Sequence, residues 1–254
     1  MSFEHCAEEL REHDPDRFGI CLLAPAAARP RLLTLYALNL ELARAPLASN
    51  EPLIAEMRVQ WWIERLEDIG EGNVASHELL GPLAEAWGER AAAFAVLAEG
   101  RRRDCAREPH DGPDAVAAYV RATAVPLAGF AAEALDGPQA AMPAIAAQAE
   151  GLGLATWLAA LPALQGLGLG LWDPSPEALG RIAAMARQRL AEARGLRRDV
   201  PRSLAPVLFG GAGVKPVLDA APQGVEALAA TPHPSEFRRR LALGAFALTH
   251  RWWM

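Results

Sequence analysis

A chain of 254 residues with 25 Lys and Arg against 31 Asp and Glu, a net charge of −6, has no general attraction for polyanions, which argues against a nucleic-acid partner. Its composition is 52% hydrophobic but only 6% aromatic, rich in Ala and Leu and poor in β-branched runs. It therefore reads as mostly helix, with core enough for a single domain over residues 1–254. Three widely spaced cysteines, Cys6, Cys21 and Cys105, suggest neither a disulfide framework nor a zinc knuckle, and the charged opening MSFEHCAEELREHDPDRF does not read as a secretory signal. A cytoplasmic location is expected.

Asp14-Pro15-Asp16 reads as a helix start, with carboxylates ready to accept orphan N–H groups and Pro15 tolerated in the first turn; the helix should run towards Ala24. A second helix is predicted over Arg31–Ala45, between Pro30 and Pro46, with Leu32, Leu35, Tyr36 and Leu42 inside and Glu41 paired with Arg44. A third, Pro52 to Ile69, has Val59, Trp62, Ile63 and Leu66 at i, i+3, i+4 and i+7, the pattern of a buried stripe. Ser76 is expected to cap a fourth helix reaching to Cys105, interrupted near Gly81-Pro82, before a loop over Glu108–Pro113. Further helices are predicted over Asp114–Leu135, with Pro126 inside, and over Pro143–Leu164, Pro176–Arg198 and Ser235–Trp253. Short pieces at Ser203–Phe209 and Val214–Ala220 lie between the last two.

From Gly151 to Trp172 the chain runs twenty-two residues without a charged side chain. That is long enough to cross a bilayer, which takes about 20 apolar residues. Pro162, Gln165 and five glycines favour a buried helix followed by a loop instead.

Four stretches, DPDRFGICLLAP, RPRLLTLYALNLELARAPLASNEPLIAEMRVQWWIERLEDIGEG, LAEGRRRDCAREPHDGPDAVAAYVRATA and LGLATWLAALPALQGLGLGLWDP, together and in this order resemble the squalene/phytoene synthase family, most strongly over residues 14–200. The resemblance implies an all-α isoprenoid-synthase bundle around a central cavity. In active members two prenyl diphosphates condense while Mg²⁺, held by two aspartate-rich motifs, neutralises the departing diphosphate. The first motif follows a tyrosine, matched here by Tyr36, yet Ala43 and Arg44 occupy the positions of its first aspartate pair. The second should lie in the helix beginning near Gly153, where no acid is available.

The pattern Asn39-x-Glu41-x-Ala43-Arg44, then Glu51-Pro52 and Arg58-x-Gln60-Trp61-Trp62, resembles one branch that includes complex I assembly factors. The resemblance implies a member that keeps the fold without prenyl transfer, needs no cofactor, and binds an isoprenoid or lipid, or subunits of respiratory complex I. The competing reading is a divergent prenyltransferase that would need Mg²⁺. Candidate pocket residues are Tyr36, Asn39, Glu41, Arg58, Asp104, Tyr119 and Thr123. Asp104 could instead be a surface ion-pair partner of Arg101 to Arg103, and Tyr119 a core residue with a bonded hydroxyl.

Six scattered histidines without H-x-x-x-H spacing argue against a metal site, and no phosphate-binding or nucleophile motif is present. Neighbouring helical residues point about 100° apart, so at most one of Trp61 and Trp62 should face a shared pocket, with Trp62 assigned to the core. Arg239, Arg240, Arg251, Trp252 and Trp253 form a basic, aromatic-ended helix that could meet a partner or the inner face of a membrane, unless it docks on the body with solvated arginines.

Overall fold

Proline placement and apolar spacing set the helix starts. The computed structural model describes residues 3–253. Twelve α-helices are found among them: α1 Phe3–His13, α2 Pro15–Leu23, α3 Arg29–Arg44, α4 Pro52–Gly70, α5 Leu80–Trp87, α6 Ala95–Glu99, α7 Pro113–Glu133, α8 Met142–Gly166, α9 Pro176–Gly195, α10 Val214–Ala220, α11 Val225–Ala230 and α12 Glu236–Thr249. There is no strand among the described residues, and extended pairing is limited to an isolated bridge between His110 and Leu171. The chain separates into two compact units, one of residues 1–106 with 133–135, the other of residues 107–132 with 136–254.

In the first unit, Asp14 caps α2 by accepting the Arg17 N–H at 3.0 Å. Helix α3 starts with Pro30 in its first turn and buries Leu32, Leu35, Tyr36 and Leu42, the four expected positions. On α4 the stripe Val59, Trp62, Ile63 and Leu66 is likewise buried, each such side chain worth roughly 1.5–3 kcal/mol of transfer free energy.

Two expectations for this unit need correction. Helix α1 was not anticipated, because its inward face shows only Cys6 and Leu10 amid charged residues. Nor does one helix run from Ser76 to Cys105. Ser76 does not cap it; His77 Nδ1 accepts the Leu79 N–H at 3.1 Å instead. Pro82 sits harmlessly in the first turn of α5, where a missing N–H costs nothing. The break comes at Gly88, whose φ of 54° ends α5, and 3-10 turns over Gly88–Phe94 and Arg102–Ala106 flank the short α6.

In the second unit α8 packs along α9, with Leu154, Trp157, Leu158 and Leu161 set among Leu179, Ile182, Ala183, Ala186 and Leu190. Its glycines are points of close approach. A Cβ at Gly153 would stand 2.5 Å from Val120 Cγ1 on α7, and one at Gly151 would stand 2.6 Å from Leu190 Cγ on α9. Helices α7 and α8 are long and apolar enough to cross a membrane by length and composition, but 61% of the apolar window of α8 is buried inside the protein. The glycine-rich segment after α8 forms a loop in which Gly170 O accepts the His110 N–H at 2.8 Å and His110 O accepts the Trp172 N–H at 3.1 Å.

Candidate functional site: a cleft beside α3 and α4

The end of α3, the turn that follows it and the middle of α4 enclose a cleft of about 260 Å³ lined by Glu41, Arg44, Ala45, Ala48, Arg58, Trp61, Trp62 and His77. Two of the sequence candidates, Glu41 and Arg58, meet here. Arg58 is exposed and makes no ion pair among the described residues. Arg44 is held at 2.9 Å by Glu9 of α1 and at 3.0 Å by Glu41. That hydrogen-bonded guanidinium holds the Glu9 carboxyl below the usual glutamate range and is itself raised, by Glu9 first.

Trp62 is buried as expected, yet both indoles line the cleft, contrary to the expectation of one. The cleft opens along the flank of α4, wide enough to take rings pointing roughly 100° apart. The rings meet edge to face with centroids 5.0 Å apart, and His77 packs against both, at 5.6 Å from Trp61 and 5.2 Å from Trp62. Because Nδ1 of His77 accepts a backbone N–H, its neutral ring carries hydrogen on Nε2 and can donate. Beside the cleft, Leu53, Ile54 and Met57 leave the neighbouring face of α4 apolar and exposed. An open guanidinium, two indole faces and an imidazole N–H make a surface suited to holding an anionic or amphiphilic group.

The other candidates lie elsewhere. Tyr36 is buried under the Arg17 guanidinium, 5.2 Å from the ring centroid, and burial pushes its phenol well up. Asn39 is buried on α3. Asp104 is buried rather than superficial, 3.9 Å from Arg103. In the second unit Tyr119 packs on His110 with centroids 5.2 Å apart, and the Thr123 hydroxyl donates to Tyr119 O at 2.9 Å within its own helix. Trp252, a candidate surface residue unless its helix docks on the body, is buried, and its carbonyl accepts from Gln148 Nε2 at 3.4 Å; Trp253 and Arg239 are half-buried, and Arg240 and Arg251 are exposed. The reason is His250, whose φ of 54° stops α12 and turns the chain inward. The buried thiols are raised, Cys6 to about 11 and Cys21 to about 12, so neither is a thiolate nucleophile at neutral pH.

Sequence reasoning missed His77, which comes from a non-helical segment with no periodic signal, and Glu9, whose helix was not foreseen. It also missed Glu150, the last charge before the charge-free run. Glu150 is 3% exposed and accepts from Arg189 Nε at 2.9 Å, with Arg121 at 3.7 Å.

The donor set at the end of α3 does not fit Mg²⁺: a guanidinium occupies the place where the family resemblance puts a carboxylate, and among the described residues no group of three or more His, Cys, Asp or Glu side chains could hold a metal ion.

Residues 10–162, more than half of the chain, match the squalene/phytoene synthase family. The chain belongs to that family. Complex I assembly factor 6 of the NADH dehydrogenase (ubiquinone) from Homo sapiens is 38% identical over 65 residues, 26% of this chain and 20% of that protein; the Bos taurus protein is 36% identical over 69 residues, 27% and 21%. The matched stretch thus spans about a fifth of those relatives. A dehydrosqualene synthase crystallised with ligand superposes with a TM-score of 0.72 at 14% identity over 96% of this chain and 94% of its own. The squalene synthase HpnC from Alicyclobacillus acidocaldarius gives 0.64 at 18% identity over 90% and 92%. At such identities these likenesses establish the fold, an all-α isoprenoid-synthase-like bundle, as this family member's sequence implied.

Proposed function

We propose that this family member is a non-catalytic binding factor that acts in the assembly of respiratory complex I, in the cytoplasm or peripherally at the inner face of the membrane, without a metal or organic cofactor. The observation that carries this reading is Arg44, a cation paired with Glu9 and Glu41 where Mg²⁺ chemistry would need a carboxylate. The identity shared with complex I assembly factor 6 supports the assembly role. The cleft of Arg58, Trp61, Trp62 and His77 has the chemistry to hold a lipid or a segment of a partner subunit.

The second reading, a divergent prenyltransferase, draws on the fold shared with dehydrosqualene and squalene synthases. Calorimetric titration with a non-hydrolysable farnesyl diphosphate analogue separates the two. Binding that requires Mg²⁺ would overturn the non-catalytic reading, whereas heat that is absent or indifferent to Mg²⁺ is expected. A deletion strain with normal NADH:quinone oxidoreductase activity and normal complex I on native gels would overturn the assembly role.

A further inference from the structure

Helix α12 docks on the body of its unit along one face, where Arg239, Ala242, Leu243 and Ala247 are half-buried around Phe246. Of its fourteen residues Phe246 alone is buried, stacked on Phe209 with ring centroids 4.6 Å apart. At 100° per residue, Phe237, Leu241, Gly244 and Leu248 fall within a narrow stripe directly opposite Phe246. That stripe points to solvent, with Phe237 74%, Leu241 61% and Leu248 85% exposed. An apolar line of this kind on an outward face is costly in water and marks a docking surface.

The charges around it name the occupant. Arg238 and Arg240 fall on either side of the stripe and Arg251 follows it, three arginines against Glu236 alone in that segment, in a chain whose net charge is −6. Glu236 is taken by Arg240 one turn away, while Arg238, Arg239 and Arg251 have no ion-pair partner among the described residues. A second copy of the chain docking through the same stripe would set arginine against arginine. An anionic lipid surface satisfies both features at once: acyl chains accept Phe237, Leu241 and Leu248, and headgroup phosphates accept the flanking guanidinium groups. We propose that α12 is a membrane-surface anchor that lies in the headgroup layer of an anionic bilayer, with Phe237, Leu241 and Leu248 inserted and Arg238 and Arg251 on phosphates.

The proposal deepens the peripheral-membrane part of the proposed function, and because its test involves no complex I, its failure leaves the assembly reading standing. The full chain is floated with vesicles of phosphatidylcholine alone and of phosphatidylcholine with equal phosphatidylglycerol. Binding is expected to the anionic vesicles only. It should weaken steeply as salt rises from about 0.1 M to about 1 M, where the screening length falls from about 10 Å to about 3 Å. Leu241→Glu with Leu248→Glu alters two exposed positions and should leave the circular dichroism unchanged while lowering partitioning at least about tenfold. Arg238→Gln with Arg251→Gln should lower it by about tenfold and flatten the salt dependence. No flotation with anionic vesicles at low salt would overturn the proposal. So would binding unaltered by the double glutamate variant, or a dimer that this variant dissolves, which would assign the stripe to a second copy.

Discussion

The end of α3 and the middle of α8 are the two places where the family resemblance puts metal-holding carboxylates, and they differ in opposite directions. At the end of α3 the chain keeps charge and inverts it: Arg44 sits with Glu9 and Glu41 beside a cleft open to water. In α8 the chain discards charge, and Gly151 and Gly153 are pressed against Leu190 and Val120. The first region remains a surface that can meet something. The second is interior, where shape alone is fixed, and the acid just before it, Glu150, is consumed by Arg189 and Arg121.

If that contrast holds, the largest effect should come from filling the space beside α8. Gly153→Leu forces atoms into Val120 and Ala124, and a loss of about 3 kcal/mol in urea unfolding is expected; a neutral result would mean that α7 and α8 have room between them. Glu150→Ala should cost about 2 kcal/mol, less than a fully buried pair, because Arg189 keeps Glu192 at 2.5 Å and is partly exposed. Arg44→Ala, in the solvated cluster, should cost below about 1 kcal/mol.

The pH dependence of that last loss is specific. The Glu9 carboxyl is lowered in the folded state, so its contribution is present above the unfolded value of 4.5 and fades as pH falls through the folded one. The difference between wild type and Arg44→Ala should therefore be full at neutral pH and shrink below about pH 4.5; a constant difference down to pH 3 would point to packing rather than charge. The smallest change is expected of Ala43→Asp with Arg44→Asp. One restored carboxylate pair should give no Mg²⁺-dependent binding of the farnesyl diphosphate analogue, and its appearance would show that a single pair suffices.

The helical fold and much of its punctuation were legible in the sequence because local chemistry decided them. Pro30 and Pro52 open α3 and α4, Asp14 caps α2, and the 3.6-residue spacing of Val59, Trp62, Ile63 and Leu66 names the buried side of α4. What stayed hidden depended on partners far along the chain or on single backbone conformations. Helix α1 is fixed by two inward residues that no periodicity test would weigh, the break after α5 is one glycine at positive φ, and Trp252 turns inward because His250 adopts a left-handed conformation. The cleft was half visible: Glu41 and Arg58 were picked from their motif, whereas His77 arrives from a segment whose position only folding reveals.

Gln165 has a consequence of its own. Its carboxamide accepts the Leu171 N–H at 2.7 Å and donates to the Leu171 carbonyl at 3.3 Å, presenting the donor and acceptor of a peptide group to the loop after α8. One side chain thereby imitates a neighbouring strand, so the loop's register is carried by the last turn of a helix. The Leu171 amide hydrogen should then exchange with deuterated solvent at the pace at which that turn frays, turning an irregular segment into a gauge of helical end stability.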